Sequence, residues 1–315
     1  MMESYIDLRD RDHVSMSPDS KTMAIGKFDG LHAGHQAVLS LTVDLAKVTS
    51  TKPCLFCFDP HPRFALTGDE NYRSWLTPAH ERDRIARRYG ISQTFVAHFD
   101  EAFRKQTAED FVRDYLVALH VSHLVVGDDF HLGKNKAYDV HDLQRIAATY
   151  GIDVNVVNSI TEGSDRVSST RIRQSLAKGD VMGAASLLRR PYQLCGTVVH
   201  GKALGRTIGY PTANLSLDEP YVVPKIGVYL VESHLLGKRI FGMMNIGFRP
   251  TVSDQRELSL EVHFFDQSFD LYGQSICLLL LDHLRDEVRF ESVQALTDQL
   301  ARDEVIAKSR LLAFT

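Results

Sequence analysis

The chain has 315 residues, 44% apolar and 24% charged, with a formal net charge of −4. That length accommodates two domains with cores of their own and suits a soluble globular protein, and the slight acidity argues against nucleic acid as a partner. No apolar run nears the roughly 18 residues of a membrane span, and the polar stretch "MMESYIDLRDRDHVSMSPDS" lacks a signal peptide's apolar middle, so a cytoplasmic protein with no membrane partner is expected.

From residue 22 to 157, short apolar runs alternate with helical patterns. "TMAIG" (22–26) precedes a helix whose predicted apolar face is Val38, Leu41, Leu45 and Val48. "CLFCF" (54–58) reads as a buried strand. Cys54 and Cys57 then face opposite ways and are small core residues, not a metal or disulfide pair. A helix follows Pro78. "TFVAHF" (94–99) leads to "TAEDFVRDYLVALH", where Thr107 caps a helix and Asp110 closes a capping box. "HLVVG" (123–127), a helix ending at Gly151 and "DVNVV" (153–157) complete the series. Five strands separated by helices predict a parallel sheet covered on both faces, with ligands bound beyond the carboxyl ends of its strands.

A helical pair, "SSTRIRQSLAKG" and "DVMGAASLLRR", then leads to a different texture. After Pro191 strand-like runs follow one another directly: "YQLCGTVVHG", "GVYLVE", "RIFGMMNIG", "LSLEVHFF" and "SICLLLL". Gly237 marks a hairpin, and the succession predicts an antiparallel barrel. One closing helix has Ser292 as N-cap and Leu296, Leu300 and Val305 on its apolar side. The fold class is α/β plus β, with domains 1–186 and 187–315.

"IGKFDGLHAGHQ" (25–36) sits at the end of the first strand of this series, where a helix starts. The helix N-terminus and its dipole favour a phosphate. His32 and His35 lie on one face of the incoming turn, and Gly34 permits close backbone approach. The spacing fits neither a Walker loop nor a dinucleotide fingerprint. A metal pair would need a third ligand, for which His61 is the available residue. Two surface histidines beside a turn is the plain alternative.

The stretch "GKFDGLHAGH" resembles the G-x-F-D-x-x-H-x-G-H signature of HIGH-type nucleotidyltransferases, above all the adenylyltransferase module of bacterial FAD synthetases. "FDPHP" (58–62) is similar to that family's F-x-P-H-P, and "VSSTRIR" (167–173) to its S-S-T-x-x-R. The resemblance implies a Rossmann-like domain that transfers an adenylyl group from ATP to FMN. In it, His32 and His35 stabilise the reacting phosphates. Gly26, Phe28, Asp29, Gly30, Gly34, Ser168, Ser169, Thr170 and Arg173 bind the nucleotide. "GDDFHLGKNKAYD" (127–139) departs from the family pattern at Leu132 and Ala137, but Asp129 and Phe130 match and take a nucleotide-site role.

"GKALGRTIGYPTANL" places Gly201, Gly205 and Gly209 four apart, followed by Pro211, Thr212 and Asn214. A loop folded around an anion fits this better than helix packing, since Pro211 breaks helices. Thr212 and Asn214, two apart, can aim their oxygens at one hard cation such as Mg²⁺. In "LSLEVHFF", Leu258, Leu260, Val262 and Phe264 share one face, and Ser259, Glu261 and His263 the other.

This half resembles riboflavin kinases through "GYPTAN", "GVY" (227–229), "NIGFRPT" (245–251) and "LEVHFF" (260–265). The resemblance implies that Glu261 is the general base, that Gly201, Lys202, Gly205, Arg206, Gly209 and Pro211 hold ATP, and that Thr212 and Asn214 hold Mg²⁺. The whole is identified as a member of the bacterial bifunctional riboflavin kinase/FMN adenylyltransferases, with ATP, riboflavin and FMN as its small-molecule partners. A chain retaining only the kinase, or a flavin-sensing regulator without turnover, are the alternatives. Oligomeric state is not legible.

Overall fold

The computed structural model describes residues 5–9, 18–201, 205, 208–250, 256–267, 270–312 and 314. The chain divides into two units, Met1–Ser169 and Thr170–Thr315.

The first unit is built on a six-stranded, all-parallel sheet. Its strands are β1 (Tyr5–Asp7), β2 (Lys21–Ile25), β3 (Lys52–Asp59), β4 (Gln93–His98), β5 (Val121–Gly127) and β6 (Asp153–Val157), in the order β1-β4-β3-β2-β5-β6. The sequence led to five of these. The sixth, β1, is a three-residue edge strand with a single aliphatic residue, Ile6, and has no periodicity to read. Helices α1 (Ala33–Thr49), α2 (Pro62–Thr67), α3 (Ala79–Arg88), α4 (Glu101–Lys105), α5 (Ala108–Phe111, continued by a π-helical turn to Val117) and α6 (Val140–Ala148) connect the strands.

Two apolar clusters form, as a sheet covered on both faces requires. Met23, Cys54, Phe56, Phe95, Phe111 and Leu143 belong to one; Ala24, Leu39, Cys57, Ile85 and Val96 belong to the other. Cys54 and Cys57 therefore do lie on opposite faces, and both are free. The predicted Thr107–Asp110 capping box is formed.

The buried stripe of α1 keeps the predicted Val38, with Leu45 packed against the core, but departs from the prediction at Leu41 and Val48. It runs through Ala33, Gln36, Val38, Leu39, Thr42, Val43 and Ala46, while Val48 is 84% exposed and Leu41 also faces solvent. Two polar residues can occupy the buried side because each bonds a carbonyl: Gln36 Nε2 donates to Leu31 O at 2.9 Å and Thr42 Oγ1 to Val38 O at 2.7 Å.

The second unit is a closed, antiparallel, six-stranded barrel. Strands β7 (Thr161–Glu162) and β8 (Asp165–Arg166) form a small ribbon of the first unit, followed by α7 (Ser169–Lys178) and α8 (Val181–Leu188). The barrel strands are β9 (Tyr192–Val199), β10 (Ala213–Leu217), β11 (Gly227–Leu235), β12 (Lys238–Pro250), β13 (Arg256–Phe264) and β14 (Ser275–Arg285), closing in the order β10-β13-β12-β11-β14-β9. By packing, the chain divides at Ser169/Thr170, and α8 lies on β9 and β14. The β11–β12 hairpin turns at Leu236 and Gly237, both with positive φ. That geometry matches the right-handed twist of the strands it joins.

Helix α9 (Val293–Leu311) is capped by Ser292 as expected, but Val305 is exposed. Asp303 and Ala307 are buried instead, because Arg285 clamps the Asp303 carboxylate from β14 and turns that face inward. Cys195 and Cys277 stand opposite each other on β9 and β14 and are joined as a disulfide, a pairing that composition did not suggest.

Candidate functional sites

Strands β2 and β5 are neighbours, yet the chain leaves β2 toward β3 and β4 before returning to β5. That reversal opens a crevice beyond their carboxyl ends, where α/β sheets bind ligands. The loop from Gly26 to His32 fills its rim. Phe28 and Leu31 hold positive φ (51° and 46°), a strained state for residues with a Cβ, and Gly30 turns at φ 92°.

The surrounding bonds over-determine this shape. Carbonyl oxygens are drawn back into the protein: Lys27 O accepts from Arg82 Nη1, Phe28 O from Leu31 N, Asp29 O from Ser169 Oγ (2.7 Å), and Leu31 O from Gln36. With its carbonyls turned inward, the loop offers an anion little negative charge to meet.

His32 is the N-cap of α1, its Nδ1 3.4 Å from the His35 amide, and the His32 and His35 rings stack with centroids 3.7 Å apart. Gly34 lies against the His32 ring, where a Cβ would fall 3.3 Å from Cε1. Burial holds His35 well below the usual histidine range, reinforced by the charges of His32, Lys27, Arg82 and Arg166. The imidazole is thus neutral near pH 7, and its Nδ1 is sealed from solvent without a hydrogen-bond partner. Asp29 is 1% exposed, and its carboxylate accepts from Leu76 N at 2.8 Å. That bond ties the loop to the segment at Leu76.

Across the crevice, β5 ends in a second acidic turn. Asp128 accepts from Ser159 N at 2.9 Å and from its hydroxyl, and Arg166 reaches Asp129 at 2.9 Å and Asp128 at 3.6 Å. Burial pushes the Asp128 carboxyl up, but the Ser159 hydrogen bonds and Arg166 outweigh it and hold the group below the usual carboxylate range. Phe130 closes the turn through its amide to Gly127 O and packs on the core. Sequence reasoning assigned Asp129 and Phe130 here but missed Asp128, Ser159 and Arg166. Only the doubled acid in "GDDF" hinted at them.

Thr170 and Arg173 stand in the first turns of α7, directly after Ser168 and Ser169. His61, the third ligand that a metal pair would need, is instead the buried N-cap of α2, with Nδ1 accepting from Arg63 N. Among the described residues no group of three or more His, Cys, Asp or Glu gathers around a common point.

In the second unit, Glu261 lies between two asparagines in the sheet register, Asn214 of β10 and Asn245 of β12. Ser259 donates its hydroxyl to Glu261 Oε1 at 3.0 Å. Leu260, Val262 and Phe264 are buried on the opposite face, whereas Leu258 near the strand's start is exposed. Glu261 shares its outward face with Met243 and Val228, two members of the cluster on which α9 packs. It is therefore a carboxylate on the barrel's flank, half-buried beside polar neighbours.

Asn214 is 6% exposed and sits against Gly201, where a Cβ would fall 2.1 Å from its Nδ2. The loop tightens at Gly205, whose carbonyl accepts from Ile208 N and Tyr210 N, and Gly209 turns at φ 82°. His263 holds the loop's far end by donating from Nδ1 to Pro211 O at 2.9 Å, and Thr212 follows, half-buried. Lys202 and Arg206 lie outside the described residues. Gly201, Pro211, Thr212, Asn214 and Glu261 are thus brought to one side of the barrel by the β9–β10–β13 pairing.

Comparison with known proteins matches each unit separately. Residues 14–171 match the FAD synthetase family model and residues 188–311 the riboflavin kinase family model. The chain belongs to the bifunctional riboflavin kinase/FMN adenylyltransferase family. It is 37% identical to the enzyme of that name from Listeria monocytogenes over 90% of both chains. To that of Escherichia coli K12 it is 39% identical, over 94% of this chain and 95% of the relative. A crystal structure of a macrolide-efflux protein from Streptococcus pneumoniae aligns with a TM-score of 0.87 and 31% identity, over 97% of this chain and 99% of that one. Among the described residues, no helix is long and apolar enough to cross a membrane. The β2–α1 loop falls within the FAD synthetase match, and Glu261 with its neighbours within the riboflavin kinase match.

Proposed function

We propose that the second unit phosphorylates riboflavin to FMN, releasing ADP, and that the first adenylylates FMN to FAD, releasing pyrophosphate, with ATP as donor for both. The carrying observation is that one chain of this family matches the FAD synthetase model over residues 14–171 and the riboflavin kinase model over residues 188–311.

In adenylyl transfer the FMN phosphate oxygen attacks the α-phosphorus of ATP, so the substrate brings its own nucleophile and no general base is required. The protein must align the two phosphates and stabilise charge growing on the leaving pyrophosphate. His32 and His35, at the N-terminus of α1, are the groups for this task. His35 acts as a neutral hydrogen-bond donor. Gly26, Gly30, Gly34 and Phe28 shape the loop, Asp29 and Ser169 lock it, and Ser168 supplies a further phosphate-binding group. Asp129 and Phe130 border the nucleotide on the β5 side.

For the kinase step, Glu261 accepts the proton of the ribityl 5′-hydroxyl as that oxygen attacks the γ-phosphorus of ATP. Ser259 orients the carboxylate. Gly201, Lys202, Gly205, Arg206, Gly209 and Pro211 form the loop that receives the phosphates. The oxygen donors of Thr212 and Asn214 fit Mg²⁺, a hard cation, and would hold it. When bound, the ion neutralises charge on the phosphates being transferred. The partners are small molecules: ATP, riboflavin and FMN. We assign the protein to the cytoplasm.

The test is to incubate the purified chain with riboflavin, ATP and Mg²⁺ and to resolve the flavins by chromatography. FMN and FAD together are the expected products. FMN alone would leave only the kinase, and unchanged riboflavin would refute both activities.

A further inference from the structure

Arg82 of α3 is completely buried beneath the Gly26–His32 loop. Its guanidinium lies 4.7 Å from the Trp75 ring centroid and donates from Nη1 to Lys27 O at 3.4 Å, a long bond. Its Nε and Nη2 are buried with no hydrogen-bond partner, and among the described residues Arg82 forms no ion pair with a carboxylate.

The ionisable groups around it leave it without a direct ion pair. On β3, burial pushes the Cys57 thiol up, and on β1, burial pushes the Tyr5 phenol up to about 12, so both remain neutral. Asp59, at the end of β3, and Asp83, next to Arg82 on α3, also act on the Cys57 thiol, and among the described residues neither makes an ion pair with Arg82. On the other side lie His35, faced also by His32, Lys27 and Arg166, all cationic or neutral. A buried guanidinium without a counter-ion costs stability that a hydrocarbon of similar size would not. Charge retained at such a cost belongs where a ligand completes it.

We propose that Arg82 is the built-in counter-charge of the adenylyl-transfer site: a positioning residue that draws the Lys27 carbonyl inward and places a fixed cation beneath the nucleotide's phosphates. It touches no substrate. Its effect is carried by the loop conformation and by the field at the His32–His35 pair, where a polyphosphate arrives already attracted. The proposal rests on the adenylyltransferase reading of the first unit.

The test compares Arg82→Met and Arg82→Lys in the full chain. For Arg82→Met, kcat/KM for ATP in FAD formation from supplied FMN is expected to fall about tenfold or more, as for a unit charge removed within one Debye length of the phosphates. FMN formation from riboflavin in the same preparation should be unchanged. The unfolding temperature without nucleotide should be equal to or above that of the parent, and its rise on adding ATP should shrink. The acid limb of the FAD-forming pH profile should move to higher pH, because His35 loses a cationic neighbour. Arg82→Lys, which keeps the charge, should recover most of the rate and the parental profile.

Arg82→Lys as defective as Arg82→Met would overturn the proposal, and so would parental activity per folded molecule in Arg82→Met. Should Arg82→Met fail to fold, Arg82→Lys and its pH profile still decide. A parent chain that makes no FAD from supplied FMN defeats the adenylyltransferase reading itself. A parent that does, with an equally active Arg82→Met, defeats only the role given to Arg82.

Discussion

The His32 and His35 rings lie face to face across the first turn of α1, 3.7 Å between centroids and 17° between planes. Two imidazoles at that separation cannot both hold an extra proton without strong repulsion. Burial settles which form His35 takes: it stays neutral.

His35→Gln replaces the rigid ring N–H at the phosphate site with a differently placed amide donor and is expected to lower FAD formation by about 10²-fold. FMN formation should be unaffected, and chromatographic assay of both products from one preparation checks this. A linked effect concerns stability. The His35 pKa is lower folded than unfolded, so its contribution is complete above pH 6.5 and is lost as pH falls from there toward the folded value. Thermal unfolding of the first unit should therefore fall off less steeply below pH 6.5 in His35→Gln than in the parent.

Asp29→Ala strips the acceptor from the Leu76 amide in a site closed to water. Loss of a buried, charged acceptor costs about 1–3 kcal/mol, measurable by denaturant unfolding of the first unit. The loop from Phe28 to Leu31 would lose its anchor, so FAD formation should fall while riboflavin phosphorylation persists.

Gly201→Ala forces a methyl group onto the Asn214 amide, 2.1 Å away. Either the loop or Asn214 must shift, and overpacking of this kind costs about 1–3 kcal/mol. Riboflavin phosphorylation should drop at least roughly tenfold, since a displaced phosphate loop loses alignment. FAD formation from supplied FMN is the internal control.

Glu261→Ala removes the proposed base and should reduce FMN formation by about 10²–10⁴-fold. FAD formation from supplied FMN should continue at the parental rate. Loss of both activities in a folded variant would contradict separate sites.

Some of this protein was decided by local sequence. The alternation of apolar runs with helical patterns specifies a parallel sheet, because a strand buried on both faces has to be apolar throughout. Thr107 and Asp110 specify a helix start because their hydrogen bonds close within four residues. The glycine-and-histidine run after β2 specifies a tight turn into a helix N-terminus for the same reason: it is contained in one strand, one turn and one helix end.

Other features depend on packing and bonding that no hydrophobic pattern records. α1 buries Gln36 and Thr42 in place of Leu41 and Val48 because the buried polar groups find carbonyls to bond, which no periodicity encodes. Val305 faces solvent because Arg285 pulls Asp303 inward, and Cys195 meets Cys277 only through strand register. Glu261 gains its asparagine neighbours the same way, by β13 lying between β10 and β12. Arg82 reads in sequence as one more charged residue on an amphipathic helix. Only the packing of α3 under the β2–α1 loop leaves it buried and, among the described residues, without a carboxylate partner, because burial is a property of what covers a residue and not of the residue itself.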